Sequence, residues 1–143
     1  IKLGQRESMT TAQVRAALVD SHSAEFVDKM EDKEETVIGE RGVGLSGGQK
    51  QRITIARALA RKTPVLVLDD STSALDTETE QEIQGVLADL SGMTKIIIAH
   101  RISAIRKADK IIVLDKGRVA EEGTHEELLK VGGLYKETYD SQY

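Results

Sequence analysis

A glycine-rich turn before one helix and a pair of aspartates after one strand constrain this chain more than any other feature. The turn is Leu45–Gln49 (the glycine turn). Glycine lacks a Cβ, so an anion can approach the backbone closely, and a helix N-terminus offers unpaired N–H donors. The apolar run Val65–Leu68 leads into Asp69 and Asp70, at the strand end where open α/β sheets bind ligands. Together the two features predict a site for a phosphate group and a magnesium ion.

Composition limits the class of protein. With 143 residues, of which 39% are hydrophobic and 31% charged, the chain can bury a sizeable core and is unlike a disordered sequence. A net charge of −4 lacks the basic footprint of nucleic-acid-binding proteins. The absence of cysteine excludes a disulfide framework and thiolate metal sites. The longest apolar runs are too short to cross a bilayer, so the composition favours a globular domain.

The order of helical and strand patterns predicts an α/β fold. Thr10 and Ser46 are predicted helix caps, and Pro64 ends the helix that Ser46 begins. After Pro64, apolar strands alternate with helical patterns, which indicates parallel strands joined by right-handed crossovers. The continuous apolar runs 65–68 and 95–99 predict strands buried on both faces. The other expected strands are 111–114 and 118–120, which a turn at Lys116 and Gly117 joins. The expected helices after the one at Thr10 are 23–30, 46–61, 77–90, 102–107, 124–129 and 134–141.

Three polar side chains at strand ends are candidates for chemistry. Asp69 is the natural ligand of Mg²⁺, directly or through water, and Asp70 would orient or deprotonate an attacking water. His100 ends the next strand, which puts it near the same edge, where it could hydrogen-bond a terminal phosphate or that water. Ordinary alternatives stay open: a serine cap in the glycine turn, a turn-forming pair of aspartates, and a structural histidine. His22 and His125 lie in polar segments that we expect to be exposed, and they receive no role.

These motifs, in this order, resemble the nucleotide-binding domain of an ABC transporter over nearly the whole chain. The glycine turn matches the family's signature motif, residues 65–69 match the Walker B strand, and His100 matches the switch histidine. The resemblance assigns ATP contacts to Leu45, Ser46, Gly47, Gly48 and Gln49, catalytic roles to Asp70 and His100, and magnesium binding to Asp69. It assigns the D-loop to Ser73, Ala74, Leu75 and Asp76, and the loop that exporters place against transmembrane coupling helices to Thr36, Gly39, Glu40, Arg41 and Gly42.

The resemblance implies a partial P-loop NTPase-like ABC ATPase core, with a mostly parallel sheet flanked by helices and a separate α-helical subdomain. The helical subdomain would cover residues 8–62 and the second half of the catalytic core residues 63–143, so that 1–143 form one partial nucleotide-binding domain. In the family the P-loop, the glutamine loop and the adenine-stacking aromatic precede this segment, and no G-x-x-x-x-G-K-[ST] occurs here. We therefore expect the isolated segment to be inactive and, with unpaired strand edges, prone to association.

The mechanism that the resemblance implies uses ATP and Mg²⁺ and needs two nucleotide-binding domains. They would meet head to tail, so that the glycine turn of this chain serves a nucleotide held by its partner. The partner domain would be identical or different, with a heterodimer favoured. ATP-driven closing and opening would then drive a transmembrane domain, which implies that the chain works at the cytoplasmic face of the cell membrane.

Asp70 departs from the family pattern, in which a glutamate usually follows the Walker B strand. The side chain is shorter by one carbon–carbon bond, about 1.5 Å, whereas catalytic groups tolerate roughly 0.5 Å of misplacement. We therefore predict a slow site, because general-base catalysis depends on this reach. In the family such an aspartate often marks one subunit of a heterodimeric exporter with unequal sites, although the intact His100 argues against full degeneration.

Two other function classes stay open. One is an ABC-type ATPase without a membrane domain, acting on chromosomes or ribosomes; the loop at 36–42 and the absence of coiled-coil insertions and basic surfaces disfavour it. The other is a non-catalytic binding or regulatory module that kept the fold, which the missing P-loop favours. An upstream G-x-x-x-x-G-K-[ST], preceded by long apolar segments, would decide for the exporter.

Overall fold

The computed structural model describes residues 9–38, 44–69 and 77–143, and in these ranges helices and strands alternate as an α/β chain. A short 3₁₀ helix, Lys33–Glu35, occupies the acidic stretch and is exposed. No helix of these ranges has both the length and the apolar character needed to cross a bilayer. The elements are α1 (Thr11–Asp20), α2 (Ala24–Val27), α3 (Gly47–Leu59), β1 (Val65–Asp69), α4 (Thr77–Asp89), β2 (Thr94–Ile98), α5 (Ile102–Ile105), β3 (Ile111–Asp115), β4 (Arg118–Gly123), α6 (His125–Val131) and α7 (Leu134–Gln142).

Capping boxes begin α1, α3 and α6. In each box the N-cap hydroxyl accepts the backbone N–H three residues on, and the side chain at that position accepts the N-cap N–H. The N-caps are Thr10, Ser46 and Thr124, where the sequence predicts them. These local signals fix the helix starts accurately, whereas the helix expected over 23–30 shortens to the single turn of α2.

The strands form two separate pairs within the described ranges. β1 and β2 are parallel, with Asp69 opposite Ile98, and α4 crosses between them. β3 and β4 are antiparallel and meet through Lys116 and Gly117, whose φ values of 48° and 75° suit a type I′ turn. Lys116 and Gly117 therefore turn β3 into β4, where the sequence predicts the turn, and the expected parallel pairing is found for β1 and β2. The described strands thus make one parallel and one antiparallel pair, not a mostly parallel sheet.

Within the described residues, β1 and β2 are buried on one face only, whereas the sequence predicts burial on both. Leu66 and Leu68 are buried, whereas Val67 is 56% exposed and Ile98 on the neighbouring strand is 51% exposed. This alternation shows that only one face of the parallel pair packs against helices, because successive side chains point to opposite faces. The second face is apolar, and nothing in the described ranges covers it.

Three hydrophobic clusters hold these elements together, and α3 contributes to two of them. Ala56 packs with α1 and α2 in the first cluster, while its neighbour Ile55 packs with β1 and α4 in the second. The third cluster joins the C-terminal elements through Ile102, Ile111, Leu128 and Tyr135. Helix α3 is therefore the element that connects the N-terminal helices with the parallel strand pair.

Helix α3 approaches α4 so closely that Gly48 has no room for a side chain. A Cβ at Gly48 would lie 2.5 Å from Cγ2 of Thr79 in α4. Gly85, also in α4, has nothing within 4 Å of its hypothetical Cβ. Gly48 is therefore required by helix packing, whereas Gly85 is not.

Arg52 is a buried cation that ties α3 to both of its neighbours. Its Nη1 donates to the carbonyl oxygen of His22 at 3.1 Å and pairs with Glu25, and its Nη2 lies 3.5 Å from Glu82 of α4. The guanidinium also lies over the ring of Phe26, 5.1 Å from the centroid. The Arg52 side chain is only 9% exposed, and these contacts satisfy its two terminal nitrogens, whereas its buried Nε has no partner among the described residues.

We predict that Gly48→Ala lowers the free energy of unfolding by about 1–3 kcal/mol. The new methyl would lie 2.5 Å from Cγ2 of Thr79, a β-branched side chain whose χ1 choices are restricted within its helix. Gly85→Ala is the matched control and should raise stability by about 0.5–1 kcal/mol, because it gains helix propensity in open space. Urea unfolding measures both, and equal effects of the two substitutions would contradict the close α3–α4 packing.

We also predict that Arg52→Lys lowers the free energy of unfolding by about 1–3 kcal/mol. A single ammonium group cannot reach the His22 carbonyl, Glu25 and Glu82 together, since these contacts use the fork of the guanidinium. Arg57→Lys is the control, because Arg57 lies on the exposed side of the same helix. A loss for Arg52→Lys no larger than that for Arg57→Lys would show that the fork does not tie the helices together.

Candidate functional site

The N-terminus of α3 presents hydrogen-bond donors that the local sequence has already arranged. The Oγ of Ser46 accepts the N–H of Gln49 at 3.2 Å, and the Oε1 of Gln49 accepts the N–H of Ser46 at 3.0 Å. Because this hydroxyl acts as an acceptor in the capping box, its own proton remains to be donated, and no described residue accepts it. The first-turn N–H groups of a 13-residue helix add a partial positive charge beside it.

The residues of the glycine turn divide between packing and exposure. Leu45 packs against the first cluster, and Gly48 is buried against α4. Gln49 is engaged in the capping box. Only Ser46 and Gly47 are exposed in full, so they form the part of the turn that a ligand can reach. An anion can therefore approach the backbone at the exposed Gly47. At Gly48, the missing side chain instead allows α3 to pack closely against α4.

Asp69 and His100 lie at the same edge of the parallel strand pair. Asp69 is the exposed last residue of β1 and is opposite Ile98, two residues before the exposed His100. The pairing therefore brings the two side chains to neighbouring strand ends, as the sequence predicts. Asp70, the D-loop residues 73–76 and the coupling-loop residues 39–42 lie outside the described residues.

Asp69 is a candidate magnesium ligand that would act as a single protein carboxylate. Within residues 9–38, 44–69 and 77–143, no three acidic, histidine or cysteine side chains gather at one point. Mg²⁺ commonly uses one or two carboxylates and completes its shell with water and substrate phosphates. A single exposed carboxylate at a strand end fits that use, and it does not fit an all-protein metal cage.

The segment after β2 is held from α4 by a buried carboxylate. Glu80 is 6% exposed and lies in the first turns of α4. It accepts a hydrogen bond from Nη1 of Arg101 at 3.2 Å and another from the hydroxyl of Ser103. Sequence reasoning missed both Glu80 and Arg52, because nothing in helical periodicity tells a buried ion-pair partner from a solvated charge.

The other two histidines have partners of their own. Nδ1 of His125 lies 2.8 Å from the hydroxyl of Tyr135, and its ring packs near Tyr139. Burial raises the pKa of the Tyr135 phenol, which stays protonated at neutral pH. The expectation of an exposed His125 is therefore wrong, because α6 and α7 pack their aromatic side chains around it. His22 is exposed as expected, with Nε2 3.0 Å from a carboxylate oxygen of Asp89.

The described part of the predicted coupling loop lines an open hollow of about 240 Å³. Thr36 and Ile38 form one wall, and Leu18, Val27 and Ile53 belong to the helices on the other side. The hydroxyl oxygen of Thr36 is buried and has no hydrogen-bond partner among the described residues. Leaving such a group unpaired costs about 1–3 kcal/mol.

Known proteins are similar to this chain in sequence and in fold. Residues 4–73 match the family model described as ABC transporter. The chain is 51% identical to the ATP-dependent lipid A-core flippase of Haemophilus ducreyi and 50% identical to that of Alkalilimnicola ehrlichii, each over 100% of this chain and 25% or 24% of the relative. A solved bacterial Atm1-family ABC exporter with ATP bound matches 96% of this chain and 24% of its own, with a TM-score of 0.82 and 44% identity.

The chain matches only part of each relative's length. It spans about a quarter of the length of the curated relatives and of the solved exporter. The shared part contains the glycine turn, the strand ending at Asp69 and the segment with His100. The chain belongs to the ABC transporter family and consists of nucleotide-binding-domain sequence.

Proposed function

We propose that this chain supplies the glycine turn, the magnesium ligand and the switch histidine of the ATPase engine of an ABC exporter. The observation that carries the proposal is the N-terminus of α3, where Ser46 and Gly47 are exposed and the capping box leaves the serine proton to be donated. Two such nucleotide-binding domains meet head to tail. The turn then faces the γ-phosphate of an ATP that the P-loop of the second polypeptide holds.

The described residues fit ATP as half of a site. The α3 N-terminus offers one hydroxyl and backbone N–H groups, which suits a terminal phosphate and is too little to hold a whole nucleotide. The sequence contains no P-loop motif to bind the remaining phosphates. The remaining phosphates therefore need contacts from elsewhere, and we propose that a second polypeptide supplies them, with the glycine turn acting in trans.

Each candidate site residue then has a role in phosphoryl transfer. Ser46 and the N–H of Gly47 donate to the γ-phosphate oxygens and hold them in place as negative charge redistributes. Asp69 would hold Mg²⁺, which neutralises phosphate charge when bound. Asp70 orients or deprotonates the attacking water, and His100 hydrogen-bonds that water or the terminal phosphate. Residues 73–76 would serve as the D-loop.

The hollow at Thr36 supports a contact with the transmembrane domain. Its lining is mixed: apolar side chains such as Leu18 and Ile53 alternate with the charged Lys33, Glu34 and Arg57. Val37, next to Thr36 in the chain, is 92% exposed. An amphipathic coupling helix offers both the apolar surface and the polar group that this hollow can take. The engine would then sit at the cytoplasmic face of the membrane and transmit domain closure through residues 36–42.

The open face of the β1–β2 pair supports a larger ATPase core. Val67 and Ile98 lie on an apolar face that the described residues do not cover. The chain also spans only a quarter of its relatives. We infer that the P-loop half of the core covers this face in the complete protein, which accounts for apolar side chains on both faces of the strands.

Ser46→Asp tests the role of the glycine turn in the full-length exporter. Aspartate caps helices as well as serine does, so α3 should keep its stability, but its negative charge would face the γ-phosphate. We expect ATP turnover to fall by a factor on the order of 10² or more, with little change in ATP affinity. ATPase assays and nucleotide titrations measure the two quantities separately.

Thr10→Asp is the matched control, because Thr10 caps α1 with the same box and lies outside the proposed site. It should leave turnover unchanged. A Ser46→Asp protein that turns over ATP like the parent would mean that the turn does not face a phosphate. Comparing the free energies of unfolding of Ser46→Asp and Thr10→Asp would show whether Ser46→Asp loses turnover only because it unfolds.

Asp70→Glu tests the proposed slow site. If the aspartate is too short to reach the attacking water, the longer side chain should raise kcat on the order of tenfold or more. Asp70→Asn serves as the control, since it keeps the length of aspartate and removes the base. Equal kcat for the parent and Asp70→Glu would show that side-chain reach does not limit the rate.

A further inference from the structure

Gln142, the last residue of α7, fastens the backbone on both sides of Arg101. Its Nε2 donates to the carbonyl oxygen of His100 at 2.7 Å. Its Oε1 accepts the N–H of Ile102 at 2.9 Å. One side-chain amide therefore satisfies a donor and an acceptor that lie two residues apart, directly at the candidate switch histidine.

The Gln142 amide caps the N-terminus of α5, although the two are 40 residues apart in the sequence. Ile102 is the first residue of α5, where backbone N–H groups have no acceptor inside the helix. Arg101 is the N-cap residue, and its side chain makes no capping hydrogen bond, because a guanidinium has no acceptor atom; it pairs with Glu80. Since Ile102 is 2% exposed, its N–H has little access to water, and the bond to Gln142 replaces it.

Helix α7 is itself anchored in a way that fixes where Gln142 lies. Glu121 of β4 accepts the N–H groups of Leu134 and Tyr135, at 2.6 and 3.2 Å, and so holds the first turn of α7. Tyr135 is buried in the third cluster together with Ile102. Gln142 follows Tyr135 by seven residues, which places it on the same face of the helix, two turns further on.

We propose that Gln142 is a positioning residue for His100, acting through the main chain. The inference rests on the proposed function, in which His100 contacts the attacking water or the terminal phosphate. Glu80 holds Arg101 and Ser103 from α4, and Gln142 holds His100 and Ile102 from α7. With the segment fastened from both helices, the histidine stays in register with Asp69 at the strand edge. Loss of the amide frees the loop without unfolding the helix that carries it.

Amide exchange and steady-state kinetics on the full-length exporter test this proposal together. Gln142→Leu removes both hydrogen bonds. We expect amide exchange in residues 100–104 to rise about tenfold or more while the other segments of the third cluster stay as in the parent. We expect kcat for ATP hydrolysis to fall about tenfold or more, with KM for ATP within about twofold, because small misplacement of a catalytic group acts on the chemical step.

Gln142→Glu and Ser141→Ala complete the series. Gln142→Glu keeps an acceptor for the Ile102 N–H and loses the donor to the His100 carbonyl, so its kcat should fall while residues 102–104 stay protected. Ser141→Ala is the control, because the Ser141 hydroxyl bonds only within α7, to the carbonyl of Thr138, and both properties should match the parent.

Three results overturn the proposal. One is parent-like exchange in residues 100–104 of Gln142→Leu. Another is exchange that rises equally across all of the third cluster, which would make Gln142 a general stabiliser of α7. The last is a loosened loop with unchanged kcat. A parent protein without ATPase activity would refute the proposed function instead, and the exchange comparison would still decide whether Gln142 holds the loop.

Discussion

The packing of α3 between two hydrophobic clusters is the constraint on which the rest of the site depends. Ile55 enters one cluster and Ala56 the other, so α3 cannot turn about its axis without emptying one of them. Gly48 allows the close approach to α4, and Arg52 ties the helix to both sides. Because the N–H donors of the glycine turn point along the helix axis, core packing decides where they point.

Helix α4 links the two parts of the candidate site. It receives α3 at Gly48, pairs with Arg52 through Glu82, and binds His22 through Asp89. From its first turns, Glu80 holds the segment that carries His100. The glycine turn and the histidine segment are therefore both fastened to one helix. A shift of α4 would be felt at both, although each belongs to a different nucleotide in the proposed dimer.

Local signals in the sequence predict most of the elements but not how they pack. The caps at Thr10 and Ser46 fix helix starts because they depend on neighbours three residues away. The turn at Lys116 and Gly117 was predictable for the same local reason, and it pairs β3 with β4. The open face of β1 escaped prediction, because a continuous apolar run does not say what covers each face.

The long-range polar contacts were beyond the reach of sequence reasoning for a physical reason. Arg52 and Glu25 are 27 residues apart, and Gln142 and His100 are 42 apart, so no local periodicity connects them. The placement of Asp69 and His100 at one edge was predictable, because parallel strands carry consecutive strand ends to the same side. The roles of these two side chains rest on the family resemblance and stay a prediction.

The most direct test of the account is a structure of the full-length protein with Mg²⁺ and ATP bound, in the closed state. We expect the Ser46 hydroxyl and the Gly47 N–H at about 3 Å from oxygens of a γ-phosphate, with the other phosphates of that nucleotide held by the P-loop of a second polypeptide. A closed complex in which one polypeptide makes every contact to its nucleotide, with the N-terminus of α3 turned away from it, would contradict the account.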